Sequence, residues 1–214
     1  MKRILLLSLA ALGACSPSTS GPRAAGAHVA PDSFLVSFET TQGDFEVIAH
    51  RAWSPHAVDR FHELIREKTY DGIRIFRVVP DFVVQFGLTG DSATDREWRR
   101  RPVPDEEVRV SNTRGRVSFA RSGPETRTLQ VFINLADNSK RLDATVANGV
   151  KGYPPFGEVR RGMEVVAGLE GKYGEQPGRL QGEISRNGWG AVDAQFPDLD
   201  RIVKARVTKE WSGR

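Results

Sequence analysis

Apolar and polar residues alternate over Phe34-Leu35-Val36-Ser37-Phe38-Glu39-Thr40 and over Phe45-Glu46-Val47-Ile48, with Gln42-Gly43-Asp44 between them. The pattern predicts two strands joined by a tight turn. The spacing then changes. Ser54-Pro55 offers an N-cap followed by proline in the first helical position, and Val58, Phe61, Leu64 and Ile65 recur at helical intervals. This predicts a helix over 55–67 with one buried face. Tyr70-Asp71-Gly72 is a turn, and residues 73–79 and 82–86 read as short strands broken at Pro80-Asp81. Residues 87–114 are polar and turn-rich, without a periodicity to assign. Strand patterns return at 117–119, 131–134 and 156–159, and a second helix is predicted over 162–169. Residues 170–195 are glycine-rich with few apolar anchors and read as a long loop, before 202–207 closes the chain as a strand. Many short strands and two helices in one unit predict a mostly β fold, a closed or nearly closed barrel capped by two helices.

Upstream of these elements, Lys2 and Arg3 precede an apolar run over 4–12, which exits through Gly13, Ala14 and Cys15. That is the pattern of a secretory signal over 1–14. The run is about half of the ~20 residues a membrane span needs. Leu12-Gly13-Ala14-Cys15 resembles a bacterial lipobox, which implies cleavage before Cys15 and acylation of its thiol and new amino group. Several acyl chains anchor stably where one binds only marginally. The alternative is a plain signal with a chance cysteine. Residues 15–32, small and proline-rich, read as a flexible tether from a lipid-anchored Cys15 to a folded domain over 33–210. The expected location is the periplasmic side of a bacterial cell envelope. Ser16, in place of aspartate after the cysteine, favours the outer membrane by analogy with lipoprotein sorting.

Composition narrows the chemistry. Of 214 residues, 39% are apolar, enough to exclude intrinsic disorder, and the length fits one domain. The net charge of +4 falls to +2 without residues 1–14, too little for a nucleic-acid binder. One cysteine excludes a disulfide framework and a cysteine-rich zinc site. His28 lies in the tether and His50 at a strand end. His56 and His62 are about 600° apart around the first helix, so with Asp59 and Glu63 they form no metal pair and read as a solvated face. No G-x-S-x-G elbow, P-loop or H-E-x-x-H motif is present. Arg96, Arg99, Arg100 and Arg101 surround Trp98, and Asp105-Glu106-Glu107 follows to neutralise them. This reads as a solvated loop, with contact to lipid headgroups as the alternative.

What remains is an ordered set of motifs. Phe76-Arg77-Val78-Val79-Pro80-Asp81-Phe82-Val83-Val84-Gln85 resembles the cyclophilin stretch F-H-R-x-x-x-x-F-M-x-Q, with Phe76 at the histidine and Val83 at the methionine. Ser118-Phe119-Ala120-Arg121-Ser122-Gly123-Pro124-Glu125-Thr126 resembles S-M-A-x-x-G-P-x-T. Gln130-Val131-Phe132-Ile133 is similar to Q-F-F-I, Leu142-Asp143 to L-D, and Phe156-Gly157-Glu158-Val159 with Gly162-Met163 to F-G-x-V-x-x-G-M. The matches run in order from about 34 to 169. The chain thus resembles a bacterial cyclophilin-type peptidyl-prolyl cis-trans isomerase, which implies a closed antiparallel barrel of about eight strands.

The resemblance implies Arg77, Phe82, Gln85 and Phe132 as catalytic residues. Arg77 would donate to the twisted amide, Gln85 would orient it, and Phe82 and Phe132 would wall the proline pocket. It implies Val83, Ala120, Arg121, Gln130, Leu142 and Tyr153 as substrate contacts. At Arg121 the family often has Asn, and the contact is mainly through backbone. Taken singly, Phe82 and Phe132 fit a plain core and Gln85 an exposed strand position; their joint order carries the assignment. Arg77 amid apolar neighbours demands a partner. Arg141 stands where many eukaryotic members have tryptophan, Tyr153 where they have histidine, and Thr128-Leu129 where they have Gly-Ser. These departures imply weaker cyclosporin binding. No cofactor and no metal are implied. The implied partners are proline-containing polypeptides and, through the anchor, a membrane, for a monomer that does not bind nucleic acid. The implied role is in folding of exported proteins, against the alternative of a non-catalytic proline-peptide-binding chaperone or scaffold module.

Overall fold

A computed structural model describes residues 28–213; the expected signal, Cys15 and most of the expected tether lie outside them. The strands are β1 Ser33–Thr40, β2 Gly43–His50, β3 Arg77–Val79, β4 Val83–Phe86, β5 Arg116–Phe119, β6 Val131–Asn134, β7 Val146–Ala147, β8 Val150–Lys151, β9 Pro155–Arg161 and β10 Ile202–Trp211. Eight of them form one antiparallel sheet in the order β10-β1-β2-β9-β5-β6-β4-β3, and β7 and β8 make a separate hairpin. The helices are α1 Pro55–Arg66, α2 Ser92–Arg99, α3 Ser139–Leu142, α4 Met163–Ala167, α5 Gln181–Asn187 and α6 Gly190–Gln195, with a 3-10 turn over Pro177–Leu180.

The alternation that predicted the first hairpin also sets its register. Phe38 pairs with Phe45, Val36 with Val47 and Phe34 with Ala49, all facing inward. The Phe38 and Phe45 rings stack at 4.8 Å. Helix α1 drives Phe61 among Phe34, Phe38, Tyr70 and Phe156. Two matched glycines have steric reasons. A Cβ on Gly157 would sit 2.6 Å from the Ile48 carbonyl oxygen across the β2–β9 ladder. Gly162 has φ +81° and opens α4 where a Cβ would lie 2.5 Å from the Asp44 oxygen.

The expectation of a closed barrel with two helices needs correction. Strands β3 and β10 share no ladder, and the curled sheet is open in its strand order. The segment before β3 meets the start of β10 instead, at the bridge Arg74–Arg201, with Ile75 N–H donating to Asp200 O at 2.8 Å and Ile202 N–H to Ile73 O at 2.9 Å. Phe76, next along, is committed to a second apolar cluster, so the pairing does not continue into β3. The described residues also hold six α-helices.

Two of those extra helices come from 170–195, which is not the predicted loop. Its sparse apolar residues Ile184, Trp189 and Val192 join Phe76, Leu88, Phe196 and Leu199 in that second cluster, clamped by an Arg74–Asp193 ion pair. Few anchors suffice because one indole meets residues from elsewhere: Trp189 Nε1 donates to the Thr89 carbonyl at 3.1 Å. In 87–114, α2 begins at Asp91, whose side chain accepts from Thr94 N–H.

Three charged features also differ from expectation. Trp98 is buried, not in a solvated loop, with the guanidinium groups of Arg60 and Arg101 at 4.9 and 4.7 Å from its ring centre. Glu106 does not neutralise the arginine run. It accepts from the N–H groups of His56 and Ala57 at the start of α1, and from Ser54, whose hydroxyl donates instead of capping. The carboxylate thus caps α1 from a distant loop. His62 is buried rather than solvated, hydrogen-bonded to His28 at 2.6 Å and Glu210 at 2.8 Å. His56 is exposed.

Candidate active site

Strands β3, β4 and β6 are neighbours, and their register sets one row of side chains: Arg77 opposite Gln85, and Gln85 opposite Phe132. Directly opposite residues share a face of the sheet. Arg77 Nη1 donates to Gln85 Oε1 at 2.9 Å, and Gln85 Nε2 donates to Gln130 Oε1 at 2.8 Å. The other edge of the guanidinium meets Glu175, with Nε to Oε2 at 2.9 Å and Nη2 to Oε1 at 2.6 Å. Arg77 holds the Glu175 carboxyl below the usual carboxylate range through these hydrogen bonds, against some burial that acts the other way.

Beside this polar row lies an apolar floor. Val83, Phe132 and Leu142 are buried as one cluster, with Phe82, Ala120 and Tyr153 packed against it. The Tyr153 ring meets Phe132 edge-on at 5.8 Å. Phe82 is reached by two guanidinium groups, Arg141 at 3.9 Å and Arg77 at 5.4 Å from its ring centre. The structure brings Arg77, Phe82, Val83, Gln85, Ala120, Arg121, Gln130, Phe132, Leu142 and Tyr153 together as walls of one cavity of ≈ 540 Å³. That volume suits a short peptide segment. Arg121 differs from the others. Its side chain turns away into protein, donating to the carbonyls of Val150 and Gly152 and lying over the Tyr153 ring, and burial lowers its pKa.

Behind the floor is a buried polar network that the sequence reading missed. Asn138 Nδ2 donates to the Phe82 carbonyl and to Asn134 Oδ1, both at 2.8 Å. Asn134 reaches Asn112 Oδ1, and Asn112 Nδ2 donates at 2.8 Å to both Asp143 Oδ1 and the Tyr153 carbonyl. Three walls of the cavity therefore hang on one set of satisfied hydrogen bonds, which specifies their spacing. Their scatter over 112–143 left only Asp143, in the L-D match, as a visible signal. Glu175 was missed too, because it sits in the supposed loop.

Among the described residues no group of three or more His, Cys, Asp or Glu is placed to hold a metal ion. None of the described helices is long and apolar enough to cross a membrane. What the arrangement offers is an apolar slot with a rigid cationic donor at its rim.

Comparison with known proteins agrees. The family model for cyclophilin type peptidyl-prolyl cis-trans isomerase matches residues 35–185. Peptidyl-prolyl cis-trans isomerase A of Dickeya dadantii is 32% identical over 192 residues, 86% of this chain and 93% of the relative. Peptidyl-prolyl cis-trans isomerase B of Escherichia coli is 30% identical, over 64% of this chain and 84% of the relative. A Cryptosporidium parvum cyclophilin type isomerase superposes with a TM-score of 0.61 at 19% identity, covering 83% of this chain and 99% of its own, which shows the shared fold. That isomerase was also solved in the presence of the dipeptide Ala-Pro. An eight-stranded curled sheet, the ordered motifs within it and this match over most of the chain lead to one conclusion: the protein belongs to the cyclophilin-type peptidyl-prolyl cis-trans isomerases.

Proposed function

We propose that this isomerase turns X–Pro bonds in the Arg77 pocket, and that its substrates are exported polypeptides met at the cell envelope, where Cys15 tethers it. Amide resonance sets a barrier of ~18–20 kcal/mol to that rotation, and the uncatalysed step takes tens to hundreds of seconds. No nucleophile is needed. The proline ring occupies the slot of Phe82, Val83, Phe132 and Leu142, which fixes one side of the bond while the preceding carbonyl swings. As the amide twists, the proline nitrogen becomes pyramidal and regains a lone pair. A guanidinium hydrogen-bonds that nitrogen better than it does the planar ground state, so binding is strongest at the transition state. Arginine suits the task because it stays charged and its planar fork can be clamped.

The observation that carries this reading is the placement of Arg77 at the rim of an apolar cavity, with Gln85 bonded to it at 2.9 Å. A module that only bound proline would need the slot but not the clamped donor. The envelope location is supported by the lipobox-like run ending at Cys15. A protease-coupled assay on a proline-containing peptide tests the chemistry: the full-length chain accelerates isomerisation, and an inert preparation that still binds the peptide would return the protein to the non-catalytic reading.

A further inference from the structure

The motif residues account for only part of what holds Arg77. We propose that Glu175 is a positioning residue for the isomerisation, acting with Gln85 to fix the Arg77 guanidinium in the orientation that meets the twisted amide. This rests on Arg77 being the donor.

The geometry is specific. Arginine carries five N–H groups in a rigid plane. Glu175 takes one from Nε and one from Nη2 in a bidentate pair, while Gln85 takes one from Nη1 on a different edge. Two acceptors on two edges fix both the plane and its rotation, which either alone would leave partly free. Two Nη N–H groups remain for substrate. The Arg77 side chain keeps 20% of its exposure and that of Glu175 50%, so the pair stays open to solvent beside the cavity that Arg77 lines.

Glu175 is itself held in place. The 3-10 turn that follows it presses Gly178 against Arg77, so that a Cβ there would meet Arg77 Cδ at 3.5 Å, and Gln181 lines the cavity. Before it, the Tyr173 ring packs on Phe196 at 5.0 Å and its hydroxyl donates to Asp198 at 3.0 Å. The helical segment 170–195 thus delivers a carboxylate to the donor from outside the β-sheet. The hydrogen bonds from Arg77 hold the carboxyl below the usual carboxylate range, which favours the ionised form that the bidentate pair uses.

The test measures kcat and KM for an X–Pro peptide on full-length wild type, Glu175→Ala, Glu175→Gln and Arg77→Ala, together with the Arg77 Nε–H resonance by NMR. Misplacement of a catalytic group lowers turnover more than affinity, so Glu175→Ala should lower kcat about tenfold with KM within about twofold. Glu175→Gln, which keeps one acceptor oxygen and the side-chain shape, should lower kcat by about threefold. The Arg77 Nε–H signal should be sharp in wild type and broadened in Glu175→Ala. Unchanged or raised kcat in both Glu175 variants, with Arg77→Ala impaired, overturns the proposal; a raised value marks Glu175 as a latch that withholds the donor. Wild-type kcat in Arg77→Ala instead overturns the reading of the pocket on which the proposal rests.

Discussion

Arg77 and Gln85 face each other as register partners across the β3–β4 ladder, and the bond from Arg77 Nη1 to Gln85 Oε1 is 2.9 Å long. Seven residues lie between them in the chain, bent back by a turn in which Phe82 N–H donates to the Val79 carbonyl and Asp81 takes φ +57°. Proline at the second position and a left-handed third residue suit that turn. Any slip of this ladder by one residue would send Gln85 to the opposite face and leave Arg77 without it.

Arg77→Ala should therefore lower kcat/KM by about a hundredfold or more, ~2.7 kcal/mol of barrier, while the melting temperature stays close to wild type. Arg77→Lys should recover little, because an ammonium cannot make the fork to Glu175 and the bond to Gln85 together. Steady-state kinetics beside a thermal melt check both, and near-normal turnover in Arg77→Ala would take this residue out of the mechanism.

Phe132 is 5% exposed and walls the cavity, so Phe132→Ala should weaken peptide binding and destabilise the fold together. Truncating a buried phenylalanine costs ~3–5 kcal/mol, and the open side of the cavity places this site near the lower end. Urea denaturation and a peptide titration on the same protein check it. A variant with both properties unchanged is incompatible with Phe132 as a wall.

Arg127 is a fully buried arginine whose Nη2 donates to Glu106 Oε2 at 2.9 Å and to the Pro104 carbonyl. Glu106 also caps α1, so the two charges form one unit between a loop and a helix. Arg127→Ala removes the counter-charge of the buried carboxylate, though Ser54 and the α1 N–H groups still donate to it, and should destabilise by ~3–5 kcal/mol. Arg127→Ala with Glu106→Gln should lose less than the sum of the two single changes, which a double-mutant cycle on denaturation midpoints measures.

Burial lowers the pKa of His50 below its ordinary value of 6.5, although Glu158, 3.4 Å away, acts in the opposite direction. Burial lowers that of His28 as well, helped by His62. In each case the unfolded chain takes up its proton at a higher pH than the folded one. Stability should thus be complete above 6.5 and fall as the pH drops below it. Denaturation midpoints at pH 7.5 and 5.5 read the effect, and His50→Asn should make the fall shallower. A midpoint that rises on acidification would contradict the sign.

Cys15→Ser should leave isomerase activity of the chain unchanged, since the cavity begins about sixty residues further on and a small-residue stretch intervenes. It should abolish fatty-acid labelling and move the protein from the membrane to the soluble fraction. Unlabelled, soluble wild-type protein would remove the anchor from the proposal.

The sequence by itself determined the parts of this protein that depend on local order. Alternation placed β1 and β2 and set which residues face inward, helical spacing placed α1, and the ordered motifs from Phe76 to Met163 named the residues that gather round the cavity. Those signals are short-range: a pleat repeats every two residues, a helix every 3.6, and a matched motif keeps its own spacing. What only the tertiary structure decided is long-range and carried by single residues. One indole, Trp189, gives 170–195 a core to fold against, and Phe76 supplies its partner from just before β3. Glu106 serves as the cap of a helix some fifty residues upstream, and the Asn112–Asn134–Asn138 network suspends three walls of the cavity at once. Glu175 lies ninety-eight residues beyond Arg77. A polar side chain finding its partner across such a distance leaves no period in the sequence, because the pairing is fixed by where the folded backbone brings two groups and by the cost of leaving either one unpaired.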